Sequence, residues 1–168
     1  MLRCMLPTCK VFLVEDREDD ALLIRRAVAQ TPELVLVHHA KNAKEAISYL
    51  QGAGVYAQRE KYPLPNVLVL DLEMPNEDGF QVLEWLKQSE LLGDIKSLAL
   101  AAREHPSYLT RASGLGARCC LVKPAEESTL REFARELKQW CQSAPTPNCF
   151  NTDAPQTEPS VISRPSPR

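Results

Sequence analysis

A chain of 168 residues, 44% hydrophobic and 25% charged, has room for one domain with a true core and too little for two. Its formal charge of −2 gives no electrostatic reason to bind nucleic acid or an anionic membrane directly, and no run approaches the ~20 apolar residues of a membrane span. The apolar N-terminus "MLRCMLPTCKVFLVED" meets Glu15 and Asp16 before any signal-peptide cleavage site, so a cytoplasmic location is expected.

In chain order, "KVFLVE" (10–15) reads as a first strand. "DDALLIRRAVAQ" follows with Leu23, Ile24, Ala27 and Val28 at helical spacing, ended by Pro32. "ELVLVHH" (33–39) is a second strand, and "KNAKEAISYLQG" a helix with Asn42 as cap and Gly52 as stop. "QGAGVYAQREKYPLP" (51–65) exceeds an ordinary connection, so it is an insertion or an extended helix end and loop. "NVLVLD" (66–71), "SLALAA" (97–102) and "CCLVK" (119–123) are three more strands, separated by the helical segments "GFQVLEWLKQ" and "HPSYLTRASG". The last helix, "EESTLREFARELKQWC", carries Leu130, Phe133, Ala134, Leu137, Trp140 and Cys141 on one stripe. That stripe reads as core packing, and its Trp140 end with neighbouring surfaces is a candidate homodimer contact.

Apolar runs that do not alternate suit parallel strands covered on both faces, because a sheet open to water on one side would alternate. Five such strands interleaved with five helices predict a doubly wound (βα)5 five-stranded parallel sheet, flavodoxin-like in architecture. The domain is expected over residues 9–142, after an N-terminal extension (1–8). Residues 143–168 hold six of the thirteen prolines and many Ser and Thr, the composition of a disordered tail, a linker or an interaction segment.

The six cysteines contain no C-x-x-C pair and no His at ligand spacing, so free, mostly structural thiols are expected, with Cys119 and Cys120 as core and edge packing. His38 and His39 have no partner at metal spacing and read as surface residues.

In an open parallel sheet, functional groups collect beyond the carboxyl ends of the strands. Glu15 and Asp16 end the first strand, Asp71 the third, and Lys123 with Pro124 the fifth. Like charges brought together raise one another's pKa unless a cation joins them. Carboxylate oxygens with a backbone carbonyl are ligands that Mg²⁺ prefers, so Glu15, Asp16, Asp71 and the carbonyl of Glu73 form a candidate magnesium site. A carboxylate flanked by that ion and an ammonium is equipped to attack a phosphoryl group in line, yielding an aspartyl phosphate.

With "VED" (14–16), "LVLDLEMPNEDG" (68–79) and "LVKP" (121–124) in this order, the chain resembles the receiver domain of two-component response regulators over about residues 9–142. The insertion before the third strand, the wording "YPLPNVLVLDLEMP" and the absence of an output domain are similar to small regulators that pair with phytochrome-type histidine kinases. The resemblance implies a cytoplasmic, non-enzymatic protein that accepts a phosphoryl group on Asp71 from a kinase phosphohistidine. Glu15 and Asp16 then hold Mg²⁺, Lys123 contacts the phosphoryl group, and output passes to a protein partner.

Two positions depart from the family pattern. The switch Thr or Ser at the end of the fourth strand is Ala101, and the mobile aromatic of the fifth is Cys120. Arg103 is a weak substitute for the lost hydroxyl, and Ser97 lies too early in its strand. The alternative reading is therefore a pseudo-receiver that binds partners whether or not Asp71 is phosphorylated. A third, a phosphatase or phosphotransferase with an aspartyl intermediate and Glu73 as leaving-group acid, fits the Met74-Pro75 that follows and the early acidic pair less well.

Overall fold

A computed structural model describes residues 8–102, 105–124 and 126–142. Five strands, β1 (Cys9–Val14), β2 (Leu34–Ala40), β3 (Val67–Asp71), β4 (Lys96–Ala101) and β5 (Cys119–Val122), form one sheet in the order β2-β1-β3-β4-β5. Every neighbouring pair is parallel. Five helices connect and follow them: α1 (Glu18–Ala29), α2 (Ala43–Gln51), α3 (Asp78–Gln88), α4 (Pro106–Gly114) and α5 (Glu127–Gln142).

The non-alternating strands are explained by two apolar layers. Phe12, Val14, Leu68, Leu70 and Ala99 face one side, with Tyr49 and Leu50 of α2, Leu83 and Leu86 of α3 and Ala112 of α4. The intervening residues Val11, Leu13, Val67, Val69, Leu98 and Leu100 face the other, against Ile24 and Val28 of α1 and Leu130, Phe133 and Leu137 of α5. Alternate residues thus point to opposite faces, and both faces are buried. The α5 stripe is consumed by this packing.

Local chemistry sets the helix ends. Asn42 accepts the Glu45 N–H at 2.8 Å as the N-cap of α2, while Gly52, with φ 71°, closes it in the left-handed region that glycine enters freely. The segment after α2, residues 52–65, holds a short 3-10 turn (Gly54–Ala57) and is fastened to the helix it follows. The Arg59 guanidinium donates to the carbonyls of Tyr49 (2.8 Å) and Leu50 (2.7 Å), two of the groups a helix end leaves open. The Tyr49 hydroxyl donates to the Pro63 carbonyl at 2.7 Å.

Two expectations need correction. His38 is not a plain surface residue: its ring stacks on Tyr49 with centroids 4.7 Å apart, and Nε2 lies 3.2 Å from Glu45 Oε1. Nor are all the cysteines free, because Cys9 and Cys141 form a disulfide. Spacing rules find cysteines that are close in sequence, whereas this pair is 132 residues apart and meets only because α5 runs back to the start of β1. Cys119 is buried against α5 and Cys120 packs half-buried on the opposite layer, as expected. Arg103 and the 143–168 tail lie outside the described residues.

Candidate functional site

The strand order reverses on either side of β1, so the crevice of this fold lies where β1 and β3 end. The residues that follow Val14 and the last residue of β3 supply its side chains. Asp71 is 1% exposed and Glu15 fully buried. Asp71 Oδ1 accepts the N–H of Glu73 at 2.9 Å, fixing the carboxylate in the turn that leaves the strand. Its backbone is pinned as well, since Leu72 N–H donates to the Leu100 carbonyl at 2.9 Å. Gly79 permits this close approach, because a Cβ there would stand 2.1 Å from the Asp71 carbonyl oxygen.

Lys123 enters from the end of β5 and is 12% exposed. Its ammonium donates to Asp71 Oδ2 at 2.7 Å and Asp20 Oδ2 at 3.1 Å, and lies 2.9 Å from Glu15 Oε2. Burial alone would lower the Lys123 pKa, but the hydrogen bonds to the carboxylates outweigh it and hold the ammonium above its ordinary range. Glu15 moves the other way from a normal acid. Burial, joined by the charge of Asp71, pushes it up to about 7 against the opposing pull of Lys123.

Glu15 Oε1 accepts the Arg17 N–H at 3.1 Å, while Oε2 is buried and accepts no aligned hydrogen bond despite the nearby ammonium. That oxygen has the charge of Lys123 2.9 Å away but no aligned donor, which leaves it a lone pair for a second cation. Glu15, half-buried Asp16 and Asp71 each bring one oxygen within 4.8 Å of the others. Three carboxylates, those of Glu15, Asp20 and Asp71, therefore face one ammonium with Asp16 beside them, and the oxygen-only donor set of Glu15, Asp16 and Asp71 fits a hard divalent cation.

The structure thus brings Glu15, Asp16, Asp71 and Lys123 to one rim, as expected from the strand ends. Asp20 joins them, although the sequence suggested only a helix flank. It stands among the three acids of the first turn of α1, Glu18, Asp19 and Asp20, and nothing in the sequence singles it out from the other two. Ala101 ends β4, 2% exposed, and Cys120 pairs in register with Ala99, further from the rim. Ser97 is fully buried at the start of β4, where its hydroxyl donates to the Gly116 carbonyl at 3.3 Å.

With this geometry in view, known proteins place the chain. The family model of the response regulator receiver domain matches residues 11–135. The chain belongs to the response regulator receiver family. It is 26% identical to response regulator Rcp1 of Synechocystis sp., over 84% of this chain and 95% of Rcp1. The Mn(2+)-bound crystal form of Rcp1 superposes with a TM-score of 0.67, covering 83% of this chain and 99% of Rcp1, at 26% identity. The phosphorylated cyanobacterial phytochrome response regulator RcpA gives 0.69 at 30% identity, over 83% of this chain and 97% of RcpA. RPA3017, a response regulator in red light signaling of R. palustris, gives 0.71 at 29% identity, over 84% and 99% of the two chains. This receiver domain therefore joins a two-component signalling family and is similar to small regulators of phytochrome signalling. No helix among its described residues is long and apolar enough to cross a membrane.

Proposed function

We propose that this receiver domain accepts a phosphoryl group on Asp71 from the phosphohistidine of a sensor histidine kinase of phytochrome type. The observation that carries the reading is the buried Asp71 carboxylate, 2.7 Å from the Lys123 ammonium and within reach of Glu15 and Asp16. An Asp71 oxygen attacks phosphorus, the P–N bond breaks, and its electron pair leaves on the imidazole nitrogen. Asp71 is held for this attack by the Glu73 N–H on one oxygen, which orients the other. Lys123 follows the negative charge from the carboxylate to the transferred oxygens, and Asp20 and Glu15 hold its ammonium in place. Mg²⁺, held by Glu15, Asp16, Asp71 and the Glu73 carbonyl, supplies charge stabilisation to those oxygens when bound.

Several features of the chain and its relatives support this assignment. The Mn(2+)-bound Rcp1 and the phosphorylated RcpA are similar over nearly their whole lengths. On this reading residues 9–142 form the receiver domain, the protein is cytoplasmic, and it works by binding a downstream protein rather than by turning over a substrate or binding DNA or membrane. A homodimer would use the half-buried Trp140 end of α5 with neighbouring surfaces. The Ala101 and Cys120 departures then change how phosphorylation is read out, not whether it occurs.

The test is labelling by a small phosphodonor with Mg²⁺. An acid-stable, base-labile phosphoprotein is expected from the natural sequence, and none from Asp71→Asn. Equal labelling of both proteins overturns the assignment.

A further inference from the structure

Glu73 is exposed, yet it makes two contacts that tie the tips of β3 and β4 together. Its N–H donates to Asp71 Oδ1 at 2.9 Å. Its side chain reaches across the rim, where Oε2 accepts the backbone N–H of Ala102. Asp71 pairs with Leu100 in register, so Ala102 lies just past the end of β4, beside the turn that carries the carboxylate. Ala101 and Ala102 offer no side-chain donor there, which leaves the backbone N–H as what this pair can present to an anion.

We propose that the Glu73 side chain is a built-in anionic latch that occupies the Ala102 N–H until a phosphoryl group on Asp71 displaces it. The proposal rests on Asp71 being the phosphoacceptor. A phosphoryl group there carries close to two negative charges on oxygens that need donors. Lys123 covers one side, and the donor at the tip of β4 is already held by a carboxylate of the same sign. Two anions cannot share one N–H, and their repulsion in a partly buried crevice drives the weaker-charged, exposed and flexible Glu73 outward. Release of Glu73 frees the tip of β4 from the β3 turn and hands its N–H to the new anion. The change of partner at Ala102 then stands where a side-chain hydroxyl at position 101 would otherwise report phosphorylation. No chemical bond beyond the acyl phosphate on Asp71 is needed.

The experiment uses the full chain and the phosphoryl mimic beryllofluoride with Mg²⁺, in the natural sequence, Glu73→Ala, Glu73→Gln and Asp71→Asn. A charge-assisted hydrogen bond is worth roughly a factor of ten or more in an equilibrium, so Glu73→Ala is expected to bind beryllofluoride about tenfold tighter. Glu73→Gln keeps an acceptor oxygen but no charge and should fall between the two. The amide resonance of Ala102, recorded without metal or mimic, should shift in Glu73→Ala, and its further shift on binding the mimic should shrink. Unchanged affinity, or an Ala102 resonance insensitive to residue 73, overturns the latch. Binding that survives in Asp71→Asn instead overturns Asp71 as acceptor while the metal-free resonance still reads the Glu73 contact. Absence of binding in all four proteins overturns both.

Discussion

Replacing Lys123 with methionine isolates the energetics of the rim, because it keeps the aliphatic stem and removes the charge. In the natural chain the ammonium lies within 3.1 Å of three carboxylates, of which Glu15 and Asp71 are 0% and 1% exposed. Without it, two buried carboxylates stay in a low-dielectric crevice with no counter-charge, a loss of about 3–5 kcal/mol when one partner of a buried pair is removed. In urea, with an m-value of about 2 kcal/mol per molar, the unfolding midpoint at pH 8 in EDTA should fall by roughly 2 M. Protonation of Glu15, whose pKa burial already raises to about 7, relieves the strain, so the deficit should narrow at pH 6. A divalent ion should restore much of it at pH 8, since saturation at about 100 times Kd adds ~2.7 kcal/mol. A Lys123→Met midpoint within experimental error of the natural protein at pH 8 would refute the argument. So would a deficit that Mg²⁺ leaves untouched.

Other consequences can be measured on the same samples. Glu15 binds its proton up to about pH 7 in the folded chain but only to about 4.5 as an ordinary glutamate, so its contribution is fully present below 4.5 and lost as pH rises through 7. Metal-free stability should decline across that window, and Glu15→Gln should flatten the slope; an equal slope in both proteins rejects the assignment to Glu15. Because the proton competes with the cation, Mg²⁺ affinity followed by calorimetry should weaken toward tenfold per pH unit below about 7. The Cys9–Cys141 bond closes a loop with a sequence separation of 132, worth about 5 kcal/mol in the chain-entropy account. Reductant should lower the urea midpoint of the natural chain and leave Cys141→Ser unaffected; equal sensitivity of the two would mean that the pairing is not what reductant acts on.

The sheet was readable because burial on both faces removes alternation, so each strand appears as a short apolar word bounded by polar residues. The apolar words and the strands agree to within one residue at each end: Glu15 and Lys123 fall just outside β1 and β5, which places their side chains beyond the sheet. The rim could be read for the same reason, since strand ends in a parallel sheet converge without any knowledge of side-chain packing. What escaped was set by contacts distant in sequence. Asp20 looked like one of several acids suited to a helix start, and only the arrival of Lys123 from 103 residues away shows which of them turns inward. Glu73 advertised its backbone carbonyl, while its side-chain bond to Ala102 spans 29 residues between two strand tips. His38 lacks a metal partner in sequence, but its ring stacks on Tyr49 of α2 and meets Tyr56 edge-on, contacts that periodicity cannot convey.

The bond between Cys9 and Cys141 brings the Cα atoms that open and close the fold to 5.9 Å of each other. In topological terms the domain is then a ring rather than a thread. A ring has no privileged starting point, so a gene that joins residue 142 to residue 9 through a few linker residues and opens instead in the exposed stretch around Glu60 should yield the same sheet. Cys9 and Cys141 both lie at the end of the sheet where β1 begins, the end away from Asp71. A reporter protein joined directly at residue 9 or residue 142 would therefore sit behind the domain and leave the rim uncovered.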